Sequence, residues 1–304
     1  MGWSVSRAPA LHWLWLLPAL LALAWAERQW PHLALWSFVL LTLTLGFAHG
    51  AMDVLLLRDA QGRVMIKRFA MYLGSVVLLA AALISFPGVA LLALLLLSLW
   101  HFGEQAASMQ ADAKHRILLR IVQGGASVML PVLLSGLDLK VWVTAIAPES
   151  IGWVWPAWVG MAGLWLALLV AAIAVIQPWR AGALNAGMQV LAGELAALVL
   201  LNALLSPLLA FAIFFGLYHS GFHVWRMRRL QQREDLASPW LLLSATLLLT
   251  WAALAVLWWQ LPMLAQPARW EGEWLRWLVV ALAAVTLPHM VLVSQARERL
   301  FDGD

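Results

Sequence analysis

Long apolar runs fill the chain from end to end, and only short polar patches separate them. Each run holds close to twenty residues, which is enough for a helix to cross a hydrocarbon core of about 30 Å. The pattern therefore predicts an all-α, polytopic transmembrane helix bundle of about ten spans, with eight as the lower bound. The predicted spans are residues 11–26, 33–57, 69–86, 88–103, 117–136, 153–176, 186–204, 206–226, 240–259 and 275–294.

Two pairs of neighbouring spans meet almost without a loop, at Pro87-Gly88 and at Ser206-Pro207. A proline disfavours helical geometry in the residue before it, so we expect a tight turn at each place. The sequence shows no internal repeat, no low-complexity tail and no separate soluble segment. We therefore predict one integral-membrane helical domain over residues 1–304.

The distribution of basic residues predicts the orientation. If the amino terminus is cytoplasmic, all but four of the 19 Lys and Arg residues fall in cytoplasmic segments. The four on the outer side are Arg28, Lys140, Arg269 and Arg276. Such a bias is what the positive-inside rule requires, so both termini are predicted to be cytoplasmic in a multi-pass protein of the cell inner (plasma) membrane.

The first predicted span allows a second interpretation. Arg7, the apolar run and the small-residue sequence Ala24-Trp25-Ala26 also resemble a signal peptide with its cleavage site. Cleavage there would leave nine spans and would change no other orientation. We favour retention of this span, because a later span is able to start insertion by itself.

Composition excludes several other classes of protein. The chain is 64% hydrophobic and 11% charged, whereas a soluble domain carries about a quarter charged residues. It has no phosphate-cradling Gly-Lys loop, no dinucleotide fingerprint and no basic–aromatic patch, so nucleic acid is not an expected partner. Without cysteine, haem-thiolate centres, thioether-attached haem and Cys-held iron–sulfur clusters are excluded.

The histidines fall into two groups. His12, His32 and His115 lie in or beside predicted loops, where a solvated or interfacial imidazole is the ordinary finding. The other five lie in spans that run from outside to inside, within about three helical turns of the cytoplasmic boundary. They therefore share one membrane depth, and they are His49, His101, His219, His223 and His289.

This layer predicts a metal site. One histidine in a span usually serves an interhelical hydrogen bond, but ionisable groups there tend to face the bundle interior and to be functional. His219 and His223, at positions i and i+4, share a helical face and can hold one ion. His49 and His101 from two other helices would complete four nitrogen ligands. Neutral imidazole suits iron, copper, zinc and nickel, so the ligands alone leave the metal open.

Three acids accompany these histidines. Asp53 follows His49 by four residues and Glu104 follows His101 by three, a spacing at which a carboxylate can accept the other ring N–H. An ordinary interfacial charge is the alternative for Glu104. Glu194 lies deep in a span and needs a partner such as a histidine or a water.

Glycines also gather around the histidines and predict close helix packing there. They are Gly46, Gly50, Gly103, Gly216 and Gly221.

Four motifs carry a resemblance to a known family. "GFAHGAMDVLLL", "LWHFGE", "YHSGFH" and "LPHMVLV" occur in this order and spread over most of the chain. Together they resemble the Brp/Blh family of membrane β-carotene 15,15′-dioxygenases. The resemblance implies a multi-span enzyme that uses non-haem iron(II), Fe(2+), and O2. It would cleave β-carotene at the central double bond into two all-trans-retinal molecules, with a functional link to a retinal-binding rhodopsin.

The resemblance also implies roles for individual residues. His49, His101, His219 and His223 match the family's iron ligands and hence its catalytic residues. His289 matches a further family histidine, to which we assign a place beside the ligands or the substrate. Family members tend to have a basic residue just before the second histidine of the pair, where this chain has Phe222. Because carotene dissolves in the bilayer, lipid is an expected partner, and the many tryptophans are candidates to line a path for the polyene.

Other functions remain open at this point. A di-iron membrane hydroxylase or desaturase normally has about eight histidines in several clusters, whereas this chain has one HxxxH pair. A haem-binding membrane oxidoreductase would need one histidine pair on facing helices, which the set can supply. A His/Glu-relay transporter would carry several charges at mid-membrane, where Glu194 is alone. A rhodopsin is disfavoured, because no predicted span has a mid-membrane lysine.

Overall fold

The structure is a computed structural model that describes residues 9–30, 32–58, 63–104, 113–176, 186–233, 244 and 267–296. Within these ranges the chain is almost wholly helical, and it contains no β-strand apart from an isolated bridge between Arg58 and Val64. The prediction of an all-α protein is confirmed.

The α-helices are numbered in chain order, and two π-helical segments are called π1 and π2. They are α1 (Pro9–Gln29), α2 (Leu33–Leu41), π1 (Thr42–Gly46), α3 (Phe47–Ala51), α4 (Asp53–Leu56), α5 (Ile66–Ser85), α6 (Pro87–Phe102), α7 (Ala113–Leu134), α8 (Gly136–Ile146), α9 (Ile151–Ile176), α10 (Ala186–Leu204), α11 (Pro207–Ala212), π2 (Ile213–Ser220), α12 (Gly221–Arg233) and α13 (Pro267–Gln295).

Helices occupy every predicted span except residues 240–259, which lie outside the described residues apart from Ser244. In the described part of the chain, five helical stretches are long and apolar enough to cross a membrane: Leu33–Leu56, Ile66–Ser85, Ile117–Leu134, Pro148–Ala171 and Pro207–Gln232. Several apolar helices of this kind fit a membrane protein. The count of ten spans and the cytoplasmic termini stay predictions.

The two expected tight turns are present. α5 ends at Ser85, Phe86 leaves helical geometry, and α6 begins directly at Pro87. In the same way α10 ends at Leu204 and α11 begins at Pro207. A proline suits the first position of a helix, because the N–H that it lacks would have no intrahelical partner there. The short helix α8 was not predicted, and it lies in the loop expected between two spans.

The chain packs as two compact units, which are described separately. The first unit contains Met1–Ser37, Leu95–Leu139 and Trp155–Phe211, and the second contains Phe38–Leu94, Lys140–Val154 and Ala212–Asp304. Both units draw on several distant parts of the sequence. The single domain over 1–304 stays a prediction.

In the first unit, α7 is buried along most of its length, and two tryptophans of α9 donate hydrogen bonds to its backbone. Trp158 Nε1 lies 3.3 Å from the carbonyl oxygen of Val128, and Trp165 Nε1 lies 3.2 Å from that of Val122. An indole N–H buried among apolar groups needs an acceptor, and these bonds supply it. These two tryptophans therefore serve helix packing.

α6 and α7 touch backbone to backbone at two glycines of the same unit. A Cβ added at Gly124 would overlap the carbonyl oxygen of Leu99, and one added at Gly103 would overlap that of Arg120. Small residues let helices in a membrane approach this closely, and dispersion forces then hold them together. The contact fixes the end of α6 that carries His101.

In the second unit, two apolar clusters join the helices that carry the remaining histidines. One cluster packs α5 against α13 through Leu83, Val280, Ala283 and Ala284. The other joins α4, α12 and the end of α13 through Met52, Leu55, Leu56, Met227, Leu230, Val293 and Ala296. Helices that are distant in sequence are thereby held side by side next to the histidines.

The backbone contact at Gly124 generates a test. Gly124→Ala should lower the free energy of unfolding by about 3 kcal/mol, because the added methyl must push α6 and α7 apart. Gly163→Ala is the matched control, since no atom in the described part of the chain lies within 4 Å of its added Cβ, and it should change stability by less than about 1 kcal/mol. Thermal unfolding in detergent measures both. Equal stability of the two variants would contradict the close contact.

Candidate metal centre

Four buried or half-buried histidine rings of the second unit form one cluster. His49 is on α3, His219 on π2, His223 on α12 and His289 on α13. The centre of the His49 ring lies 5.6 Å from that of His219, 5.4 Å from that of His223 and 4.8 Å from that of His289. The His223 and His289 ring centres are 5.0 Å apart. The structure thus brings together three predicted ligands and His289.

This spacing suits ligands of a single ion. With metal–nitrogen bonds of about 2.1 Å, the centres of two imidazoles bound to one ion lie roughly 4.5–5.5 Å apart. Three of the four separations between ring centres fall in this range, and the fourth, 5.6 Å between His49 and His219, lies just above it. Imidazole nitrogens also belong to the donor set that suits iron(II). The donor set and the ring spacing are therefore compatible with one divalent transition-metal ion, of which iron(II) is an example.

Two π-helical segments place the first three rings. π1 ends at Gly46, three residues before His49, and π2 contains His219. Close approaches at two glycines hold this region together. A Cβ at Gly46 of π1 would lie 2.8 Å from the Phe215 ring of π2, and one at Gly216 of π2 would lie 2.7 Å from Cβ of Leu41, the last residue of α2 before π1. π-helices are rare and are found frequently at functional sites.

Phe215 fills the space between the two segments. Its ring stacks on that of His219 with the centres 5.9 Å apart and an angle of 17° between the planes. It also meets the His49 ring edge-on at 5.6 Å. A buried phenyl group that touches two imidazoles limits their rotation and keeps water away from them. The contact between π1 and π2 therefore also orients the histidines.

A buried carboxylate holds the fourth ring. Asp53 Oδ1 lies 2.8 Å from Nδ1 of His289, and Asp53 Oδ2 accepts a hydrogen bond of 3.0 Å from the hydroxyl of Tyr72. Asp53 and His289 are each 2% exposed. One potential ligand atom from each of Asp53, His223 and His289 lies within 4.8 Å of the other two. Since both Asp53 oxygens already accept hydrogen bonds, this residue is better placed to orient His289 than to bind an ion.

A serine holds His49. Ser220 Oγ lies 3.1 Å from Nδ1 of His49, and the same hydroxyl donates a hydrogen bond of 2.8 Å to the backbone carbonyl of Phe215. Ser220 is fully buried at the end of π2. π2 therefore contributes His219 to the cluster and, through Ser220, a hydrogen-bond partner for His49.

Comparison with known proteins identifies the family. The family described as beta-carotene 15,15′-dioxygenase has a model that matches residues 19–296 of the chain, a range that contains all the histidines of the cluster and His101. The chain belongs to this family. No match is found among curated proteins or among solved structures.

Two further residues predicted for the site, His101 and Glu104, lie in the first unit. His101 is buried near the end of α6. Glu104, which we expected to accept a hydrogen bond from His101, instead accepts one of 2.8 Å from Arg120, whose guanidinium also lies 4.1 Å above the Trp100 ring. An arginine outcompetes a neutral imidazole for a carboxylate, because both partners of the pair are charged. The place of His101 among the ligands stays a prediction.

Glu194 has a partner that the sequence did not indicate. Gln123 Nε2 donates a hydrogen bond of 2.9 Å to Glu194 Oε2, which joins α7 to α10 inside the first unit. The sequence indicated that Glu194 needs a partner, for which a histidine or a water would serve, and Gln123 is one such partner. Gln123 is buried, so the amide provides a polar contact for the carboxylate where the helix surface is otherwise apolar.

The partner of Asp53 also differs from the expected one. The spacing of four residues predicted a contact with His49, whereas the structure pairs Asp53 with His289 and Tyr72. α3 ends at Ala51 and α4 begins at Asp53, with Met52 between them in helical backbone geometry, and the partners of Asp53 come from other helices. Tyr72 and Ser220 were missed. Tyr72 had one signal, because it is one of only two tyrosines in the chain.

Other residues singled out in the sequence have plainer surroundings. His32 is exposed, as expected, while the side chains of His12 and His115 lie outside the described residues. Phe222 is 40% exposed, and its ring meets those of Tyr218 and Trp225 at 5.1 and 6.3 Å. Close packing is confirmed at Gly46, Gly103 and Gly216. At Gly221 an added Cβ would meet no atom of the described residues within 4 Å.

The crossing of π1 and π2 generates a prediction. Gly46→Ala should lower the free energy of unfolding by about 1–3 kcal/mol, because the added methyl displaces the Phe215 ring. Gly50→Ala, one turn further along the same helical stretch, meets its nearest atom, Cγ1 of Val285, at an ordinary 3.4 Å. It should therefore leave stability nearly unchanged. Melting temperatures of the two variants in the same detergent decide the matter, and a reversed order would contradict the packing described.

Proposed function

We propose that this chain is an integral membrane enzyme that uses Fe(2+) and O2 to cleave β-carotene at its central 15,15′ double bond. The products are two molecules of all-trans-retinal, so that one carbon–carbon double bond is replaced by two aldehyde groups. The observation that carries the proposal is the meeting of His49, His219 and His223 in a member of this family. A retinal-binding rhodopsin would be a natural recipient of the product.

The proposed iron ligands are His49, His101, His219 and His223, and the resemblance described above supplies this set. Iron(II), when bound, would supply the activation of O2 that an organic polyene does not provide by itself. The protein's own contribution is to hold the imidazole rings at fixed spacing and to exclude water from them. Phe215 and the buried Phe214, whose rings lie 5.9 and 6.5 Å from that of His219, serve the exclusion of water.

The proposed substrate and the protein are both found in the lipid bilayer. β-Carotene is a hydrocarbon, so it reaches the enzyme through the bilayer. One face of α5 fits contact with lipid, because Val77 and Leu78 are 67% and 73% exposed, whereas Leu83 on another face packs against α13. A lateral approach from the membrane interior would bring the polyene to the histidines without passage through water.

We further propose the ten-span topology with both termini in the cytoplasm and a location in the cell inner membrane. This topology places the histidines of different spans at one membrane depth, which a shared metal site requires. Rings from three predicted spans that meet in one cluster support this common depth. A site near the cytoplasmic boundary would be accessible to iron from the cytoplasm and to O2 from either phase.

Family membership separates this proposal from the other functions considered. A di-iron hydroxylase, a haem oxidoreductase or a transporter would each be compatible with histidines in spans, but none is described by the family that matches residues 19–296. A haem protein would also show a Soret band after purification. We expect no such band.

Expression in cells that make β-carotene tests the reaction. Cells that express the chain should lose their orange colour and accumulate retinal, which chromatography separates and quantifies. The His49→Ala, His223→Ala double variant provides the blank, with retinal at least about a hundredfold lower. Undiminished β-carotene beside well-expressed wild-type protein would refute the proposed substrate, and shorter or longer apocarotenals would refute central cleavage.

Removal of one ligand tests the metal site. His223→Ala should lower the iron content of the purified protein at least about tenfold and abolish retinal formation, since the ion loses a nitrogen ligand. His32→Ala is the control, because this histidine is exposed and lies on α1's carboxyl side, away from the cluster in sequence. Elemental analysis of both proteins gives the answer, and equal iron in the two would overturn the assignment of His223.

A further inference from the structure

In two histidines of the cluster, His289 and His49, the Nδ1 atom has a hydrogen-bonding partner. The Nδ1 atom of His289 is 2.8 Å from Asp53 Oδ1, and the Nδ1 atom of His49 is 3.1 Å from Ser220 Oγ. A neutral imidazole carries a proton on one nitrogen and a lone pair on the other. The partner of Nδ1 therefore decides which nitrogen remains able to bind a metal ion.

For His289 the partner is a carboxylate. An ionised carboxylate only accepts hydrogen bonds, so Nδ1 of His289 carries the proton and Nε2 carries the lone pair. Both atoms of the pair belong to residues that are 2% exposed, where water does not compete for the bond. The ring centre of His289 is as close to those of His49 and His223 as they are to each other.

For His49 the same conclusion follows from the serine. A hydroxyl group has one hydrogen, and that of Ser220 is directed to the carbonyl oxygen of Phe215 at 2.8 Å. Toward His49 the hydroxyl can then only accept, so the proton is on Nδ1 and the lone pair is on Nε2. The serine and the carboxylate impose the same tautomer on two different rings.

Tyr72 adds a second donor to Asp53. Its hydroxyl lies 3.0 Å from Oδ2, the oxygen that does not contact His289. The carboxylate is thus fixed at both oxygens by side chains of two other helices, α5 and α13. A carboxylate fixed in this way cannot turn away from His289.

We propose that Ser220 and the Tyr72–Asp53 pair are positioning residues that make Nε2 the metal-binding atom of His49 and His289, and that His289 is itself a metal ligand. This inference rests on the proposed function for the identity of the ion as iron(II), but its geometry applies to any divalent ion of similar size. It revises the role expected for His289 from the sequence, which was a place beside the ligands.

Cobalt(II) binding to the purified full-length protein tests the inference, because the ion's visible spectrum reports its coordination. Ser220→Ala and Asp53→Asn should each raise the dissociation constant for cobalt about 10–100-fold, the usual effect of removing a partner behind a metal-bound histidine. Tyr72→Phe, which keeps the ring and removes only the hydroxyl, should raise it severalfold. Each variant should also change the cobalt absorption bands, which a purely structural role would leave unaltered.

Two other serines whose hydroxyls bond to a backbone carbonyl provide matched controls. Ser75 is on α5 with Tyr72, and its hydroxyl bonds to the backbone carbonyl of Met71. Ser127 is buried like Ser220, and its hydroxyl bonds to the carbonyl of Gly124. Ser75→Ala and Ser127→Ala should therefore bind cobalt within about twofold of the wild type. Because Ser220→Ala could fail to fold, thermal unfolding is measured for every variant, and the nearly isosteric Tyr72→Phe and Asp53→Asn carry the test in that case.

The outcomes separate this inference from the proposed function. In the first outcome, the wild type, Tyr72→Phe and Asp53→Asn all bind cobalt equally well and with the same spectrum. That result overturns the inference and leaves the dioxygenase proposal intact. Weakened binding in these variants, together with a wild type that makes no retinal, supports the inference and overturns the proposed reaction. A wild-type protein that binds no divalent ion overturns both.

Discussion

The carboxylate of Asp53 is the interaction on which the histidine cluster most depends. A buried charge in an apolar helical protein is costly unless donors surround it, and here a phenol and an imidazole from two other helices provide them. The bonds join α4 to α5 and α13 at one point. The apolar cluster around Met52 and Met227 joins α4 to α13 and to α12 but does not orient any polar group. Apolar packing thus brings the helices close together, and the Asp53 carboxylate orients the His289 ring.

Much of the helical architecture was predictable, because an apolar run of twenty residues has few stable alternatives to a helix in hydrocarbon. The helix breaks at Pro87 and Pro207 were also predictable, because a proline disfavours helical geometry in the residue before it. The meeting of His49 with His219 and His223 was predictable in outline from their common depth. None of these inferences required knowledge of which helices are neighbours.

The partners of the acids could not be predicted, because they depend on tertiary packing. Local spacing suggested His49 for Asp53 and His101 for Glu104, but the helix ends at Ala51 and an arginine lies beside Glu104. The bond between Gln123 and Glu194 joins residues 71 positions apart. The π-helical segments were equally hidden, since their apolar residues suit an α-helix as well. Ser220 gains its role only because π2 carries it to His49.

The π-helix over Ile213–Ser220 has a consequence for the periodicity of the whole segment. The side chains after it point in different directions around the helix axis from those they would have in a continuous α-helix. One residue corresponds to a rotation of about 100° in an α-helix. Loss of a single residue from π2, with a return to α-helical winding, would therefore swing His223 about a quarter turn around the helix axis relative to α11. The length of this segment is thus under tighter constraint than the identity of most of its apolar side chains.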